Sequence, residues 1–320
     1  MKRLMRLRSS PLLRDLCAET EFTTSHLIQP LFAVDGISGE TPIPGLKGNM
    51  RMDLDACLKR VDADLEAGVR HFILFPVPRE KRQSAFDHGF ATRVISSIRA
   101  RFGGSLCLWV DVCLCSSTEH GHCGVIDLNE RIDLERTHEE LSRAATSFVE
   151  AGADGVSPSD MMDGRVSRIR ESLDRAGFDR IPIMSYSSKF ASNFYGPFRE
   201  AADSAPRFGD RKSYQLDVRN RTDALASSQR CAEEGADLLM VKPALTSLDL
   251  IGPIRERTGR SVGAYQVSGE YAGLALLEEK GLVNFNAALL ETWHVLRRAG
   301  AQFIITYGAR YARSIGVRPA

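Results

Sequence analysis

Eight short apolar runs recur along the chain, and the segments between them carry helical period; no other feature restricts the fold as much. The runs are LIQPLFAV (27–34), HFILFPV (71–77), LCLWVDVCL (106–114), GVSPS (155–159), IPIMSYS (181–187), DLLMVKP (237–243), VGAYQV (262–267) and QFIITY (302–307). Near-continuous apolar runs of this length, alternating with amphipathic stretches, are the pattern of parallel strands covered by helices. Two connecting stretches, LDACLKRVDADLEAG (54–68) and LERTHEELSRAATSFVEAG (134–152), end in a glycine suited to close a helix. Eight such units predict an α/β fold of the (β/α)8 TIM barrel type, a single domain over residues 26–320 preceded by an N-terminal arm over residues 1–25. An open doubly wound sheet is the competing arrangement, but no GxGxxG turn follows the first run to mark a dinucleotide site.

The charge balance narrows the partners. A formal net charge of +1 gives no global reason to expect nucleic acid. No apolar run approaches the roughly 18 residues that a membrane helix needs. The opening MKRLMRLRSSPLLRDL is basic but lacks the apolar core and cleavage site of an export signal, and Asp15, Glu19 and Glu21 break the acid-free character of a transit peptide. Seven cysteines without secretory context point to reduced thiols in a cytoplasmic protein that takes a small molecule.

In a barrel of this kind the active site lies at the C-terminal ends of the strands. The unusual residues fall there: Asp111, Cys113 and Cys115 at the end of the third run, Ser159 at the end of the fourth, Lys189 after the fifth, Lys242 at the sixth, Ser268 after the seventh and Tyr307 at the eighth. A lysine at the end of an apolar strand is costly to keep charged, and two at one mouth disfavour each other's protonation. A neutral lysine attacks ketones, so Lys189 and Lys242 point to Schiff-base chemistry. Arg199 and Arg211 flank a long connection suited to a lid, where two guanidiniums can capture a carboxylate.

Asp111, Cys113 and Cys115 stand at i, i+2 and i+4, which places them on one face if the strand continues through them. Cys123 returns after a glycine-bearing loop. Three converging thiolates would leave a fourth tetrahedral position open, the layout of a catalytic zinc site, whereas the competing reading is a reduced, packed cysteine cluster. His120 and His122 stand beside the three cysteines without a decided role.

Taken together, these motifs resemble the porphobilinogen synthase (5-aminolevulinate dehydratase) family over nearly the whole chain. RLRSSPLLRDL, VDVCLC with HGHCG, SPSDMMDGRV, MSYSSKFASNFYGPFREA, GDRKSYQ, EGADLLMVKPAL and AYQVSGEYA follow its order. The resemblance implies a lyase that condenses two 5-aminolevulinate molecules to porphobilinogen, with loss of two waters, in tetrapyrrole and haem biosynthesis. It implies that Lys242 holds the first substrate, whose carboxylate meets Ser268 and Tyr307. Lys189 would hold the second, whose carboxylate meets Arg199, Arg211 and Gln215. Asp111 would move protons, Ser159 and Tyr195 would shape the site, and Cys113, Cys115 and Cys123 would hold a catalytic Zn2+. A homo-octamer is implied as well, and an additional regulatory Mg2+ is left undecided.

The chain also departs from the family pattern. SSTEHGHCG stands for PYTSHGHCG, YQLDVRN for YQMDPAN, SGEYAG for SGEYAM and TYGARYA for TYFAKEA, and the segment PREKRQSAFDHGF is shortened. A divergent paralogue serving a specialised pathway, or a noncatalytic oligomeric one, is the alternative these changes raise. Every lysine, thiolate and carboxylate-binding position is nevertheless filled. A single-lysine aldolase on the same fold needs no group of three thiols.

Overall fold

The computed structural model describes residues 4–320; residues 1–3 of the expected arm lie outside the described residues. Eight parallel strands form the barrel wall: β1 Leu27–Val34, β2 His71–Val77, β3 Cys107–Val112, β4 Gly155–Pro158, β5 Met184–Lys189, β6 Leu238–Lys242, β7 Ser261–Tyr265 and β8 Ile304–Ile305. Ladders join β4, β3, β2, β1, β8, β7, β6 and β5 in that spatial order. The β4–β5 seam is closed by a single bridge, Val156 to Ile183. A small antiparallel pair, Glu40–Pro42 with Met50–Met52, extends the upper edge of β1.

Every residue of β1 is buried, as expected for a strand covered on both faces. Helices form the outer layer. Asp53 and Asp133 start two of them by accepting from the backbone N–H groups of Ala56 (2.8 Å) and Arg136 (3.1 Å). The second of these helices, Leu134–Glu150, buries Leu141, Ala144, Ala145, Phe148 and Val149 against the sheet. It is followed by Gly152 at φ +108°, a left-handed position that glycine takes without strain.

Helix Pro11–Leu16 near the N-terminus buries none of its residues, and Leu12 and Leu16 are about four-fifths exposed. No helix among the described residues is long and apolar enough to cross a membrane.

The strand bounds place the site residues. The expected runs 27–34 and 71–77 coincide with β1 and β2. The third strand, however, stops at Val112, so Cys113 and Cys115 lie beyond it. A turn carries them, held by Ser117 N–H to Leu114 C=O (2.8 Å) and Thr118 N–H to the same carbonyl (2.9 Å). Arg199 belongs to the short helix Gly196–Ala201, and the open connection follows it.

Candidate active site

Lys189 and Lys242 are register partners at the ends of β5 and β6, which sets their backbones one strand spacing apart. Both are buried. The Lys242 ammonium sits among four aromatic rings, with Nζ 4.1 Å from the Tyr265 centroid, 4.8 Å from Phe198, 4.9 Å from Tyr186 and 5.3 Å from Tyr195. Burial, reinforced by the charge of Lys189, pushes the Lys242 pKa well below the ordinary lysine range, which makes its neutral amine accessible. Lys189 donates to the Ser159 carbonyl, and its Nζ lies 5.6 Å from the Tyr186 ring centroid.

Asp111 lies within electrostatic reach of both lysines. Burial raises its carboxyl to about 6, against the opposing pull of Lys189 and Lys242. One of its oxygens, Oδ1, is buried without a hydrogen-bond partner. On the Lys242 side, the Tyr307 and Tyr265 hydroxyls are 3.1 Å apart, and Ser268 Oγ accepts from Phe198 N–H at 3.1 Å. Tyr195 donates to the Phe190 carbonyl at 2.7 Å and to the Lys242 carbonyl at 3.2 Å, so it braces the lysine's own strand end.

The Lys189 side is built from loops. Arg211 donates to the carbonyls of Gly121 (2.8 Å) and Ser204, yet its Nε has no partner; nor has Nε of Arg199. Gln215 is buried with both amide atoms unpaired. Buried polar atoms are normally satisfied, so a cluster of orphans on a cationic wall marks a place for an anionic ligand.

Cys113, Cys115 and Cys123 bring their sulfurs within 4.8 Å of one another, and they are the one such group of potential metal ligands among the described residues. Hydrogen bonds from Cys113 and Cys115 hold the Cys123 thiol well below its usual pKa, assisted by the charges of Arg211 and Lys189. Three sulfurs within reach of one another, with no disulfide between them, are a donor set that fits a thiophilic metal. His122 is not turned to that set. Its Nδ1 lies 3.0 Å from the Tyr214 hydroxyl and its Nε2 3.1 Å from the Phe208 carbonyl.

The structure thus gathers all the expected site residues at one mouth, and it adds Tyr186, Tyr265, Phe198 and Glu270. Tyr186 is hidden from strand alternation, because a register shift between Ser185 and Ser188 puts both Tyr186 and Lys189 on the interior. Glu270 accepts from the N–H groups of Leu245 (2.6 Å), Val267 (2.6 Å) and Ala244 (3.3 Å), which pins the chain just after Lys242. Burial, opposed by those three donors, raises its carboxyl to about 7.

Comparison with known proteins gives one answer. The family model described as delta-aminolevulinic acid dehydratase matches residues 1–315. The delta-aminolevulinic acid dehydratase of Helicobacter pylori is 41% identical over 315 residues, covering 97% of each chain. That of Archaeoglobus fulgidus is 42% identical over 312 residues, covering 96% of each. A crystal structure of delta-aminolevulinic acid dehydratase (porphobilinogen synthase) from Toxoplasma gondii, in complex with the reaction product porphobilinogen, superposes with a TM-score of 0.94 at 40% identity. It covers 98% of this chain and 91% of the other.

Proposed function

The chain belongs to the delta-aminolevulinic acid dehydratase family, and from that premise we propose that it is a porphobilinogen synthase, a lyase joining two 5-aminolevulinate molecules into porphobilinogen with release of two waters. The observation that carries this reading is the pair of buried lysines in register on adjacent strands beside three converging thiols.

Lys242, with its depressed pKa, attacks the ketone of the first substrate; a C–N bond forms and one water leaves as the imine is made. The aromatic walls exclude solvent around this amine, and Ser268 and Tyr307 receive the substrate carboxylate. Lys189 forms the corresponding imine with the second substrate, whose carboxylate satisfies the orphaned atoms of Arg199, Arg211 and Gln215. The ring then closes between the two held molecules: one C–C and one C–N bond form, and both lysines are released as free amines. Two molecules of substrate thereby give one of product and two of water. Asp111, within electrostatic reach of both lysines, is placed to take and return the protons of these steps. Ser159 and Tyr195 fix the positions of Lys189 and the Lys242 strand end through their carbonyl contacts.

Cys113, Cys115 and Cys123 would hold zinc, which would supply Lewis acidity to a substrate oxygen or amine. Residues 1–25 act as an arm that docks on a second copy, supported by the exposed Met5, Leu7, Leu12 and Leu16, with Phe22 at its base buried against Trp293 of the barrel, within a cytoplasmic homo-oligomer of octameric order. Residues 26–320 form the catalytic domain. The unchanged set of lysines, thiols and carboxylate receptors favours this reading over a noncatalytic paralogue.

The test is direct. Purified protein with 5-aminolevulinate and zinc should yield porphobilinogen, and borohydride should trap substrate on Lys242 or Lys189; an active preparation with label on neither lysine overturns the Schiff-base mechanism. Light scattering checks the arm, since deletion of residues 1–12 should lower the mass of the assembly.

A further inference from the structure

The turn carrying the cysteines and the open connection after helix Gly196–Ala201 are stitched together at several points. Arg207 N–H donates to the His120 carbonyl at 3.0 Å, and Arg211 donates to the Gly121 carbonyl at 2.8 Å. Gly121 itself, at φ +76°, passes so close to the connection that a Cβ there would lie 2.3 Å from the Ala205 carbonyl oxygen. The deepest tie runs through Tyr214. Cys123 N–H donates to the Tyr214 hydroxyl oxygen (3.4 Å), which leaves the Tyr214 proton for His122 Nδ1 (3.0 Å). His122 Nε2 then carries the ring proton and donates to the Phe208 carbonyl (3.1 Å). The His122 ring also packs on Phe208, with centroids 4.8 Å apart.

Both ends of this chain of bonds matter to the site. At one end is the backbone of Cys123, whose sulfur must stand beside two others. At the other is the segment that carries Arg211 and Gln215, the receptors with unpaired atoms. His122, with both ring nitrogens engaged, is spent on the tie between them.

We infer that Tyr214 and His122 are positioning residues that join closure of the 203–217 segment over the substrate to formation of the three-thiolate site, so that each event favours the other. The inference rests on the assignment of Cys113, Cys115 and Cys123 as zinc ligands. Thermodynamic reciprocity then makes a specific demand: a ligand that closes the segment tightens zinc, and zinc tightens that ligand by the same factor.

Zinc affinity of the full-length protein, measured by competition with a chelator with and without levulinate, tests this. Levulinate has the ketone and carboxylate of the substrate but no amine, so it can occupy the site without completing the reaction. In the unaltered protein, levulinate is expected to tighten zinc by about fivefold or more. Tyr214→Phe keeps the ring and loses the hydroxyl; it is expected to bind zinc roughly three- to tenfold more weakly and to lose the response to levulinate. His122→Asn, whose side-chain oxygen can replace Nδ1 but not Nε2, should keep part of the response, and it serves as the second variant if Tyr214→Phe does not fold. Amide exchange in residues 203–217 should slow on zinc addition in the unaltered protein and not in Tyr214→Phe. Equal zinc affinity and an equal levulinate response in the variants would overturn the coupling and leave the zinc site standing. An unaltered protein that takes up no zinc would overturn both.

Discussion

Lys242 and Lys189 are neighbours in the sheet, but the walls around them are made in different ways. Lys242 is enclosed by four rings from three segments, Tyr186, Tyr195 with Phe198, and Tyr265, and the tyrosine and serine beside it already have partners. Around Lys189 the second wall comes from loops, and several of its polar atoms have none. Packing completes the first half, whereas the second keeps unpaired polar atoms beside three sulfurs that could hold a metal. On the proposed assignment, two identical substrate molecules would meet different surroundings, a preformed half for the first and a half with unpaired polar atoms for the second.

Breaking the preformed half should have the largest effect. Lys242→Ala removes the amine that starts the sequence and should reduce porphobilinogen formation by at least about 10³-fold, with no borohydride label at residue 242. Next comes the metal. Chelation, or Cys115→Ala, should lower turnover by roughly 10²- to 10³-fold while trapping on Lys242 persists and far-UV circular dichroism is unchanged, because the core does not include this site. Full turnover by metal-free protein would remove the distinction between the halves.

Gln215→Ala should raise KM by about 10-fold or more with a smaller change in kcat, the loss of a hydrogen bond to a charged group. Tyr307→Phe, on the side where partners are already in place, should cost only about fivefold, read in the concentration of levulinate that half-saturates trapping. The smallest effect is a displacement along the pH axis. Attack requires the neutral amine, so trapping on Lys242 falls as pH drops through its depressed pKa. Lys189→Met removes a positive neighbour that lowers this pKa, and the trapping profile should therefore move to higher pH. A profile that stays in place would show that burial alone sets the reactivity of Lys242.

The barrel was legible because parallel strands covered on both faces leave continuous apolar runs, and β1 and β2 lie where those runs stand. The site was legible where chemistry and strand ends coincide, as at Lys189 and Lys242. It was less so where long-range packing decides. Alternation alone would carry Cys113 and Cys115 onto β3, but the chain has already left the sheet, and a turn rather than the pleat brings the sulfurs together. Nothing near Glu270 announces that its carboxylate holds Ala244 and Leu245, some 25 residues away. The departure TYGARYA finds its reason only in three dimensions. A Cβ at Gly308 would lie 2.6 Å from Leu289 and 3.3 Å from Trp293, so the neighbouring helix leaves no room for a side chain there. Arg310 pairs there with the buried Asp64 at 3.0 Å.

The single bridge between β4 and β5 gives the barrel a mechanical direction. A hoop of staves yields where its fastening is thinnest, and here the other seven strand interfaces are laddered while this one is held at Val156 and Ile183. Ser159 follows one stave and Lys189 ends the other, with the contact between them lying directly above that fastening. Side chains take up part of that fastening: Ser157 Oγ donates to the Met184 carbonyl at 2.7 Å across the same joint, below the contact of Lys189 with Ser159.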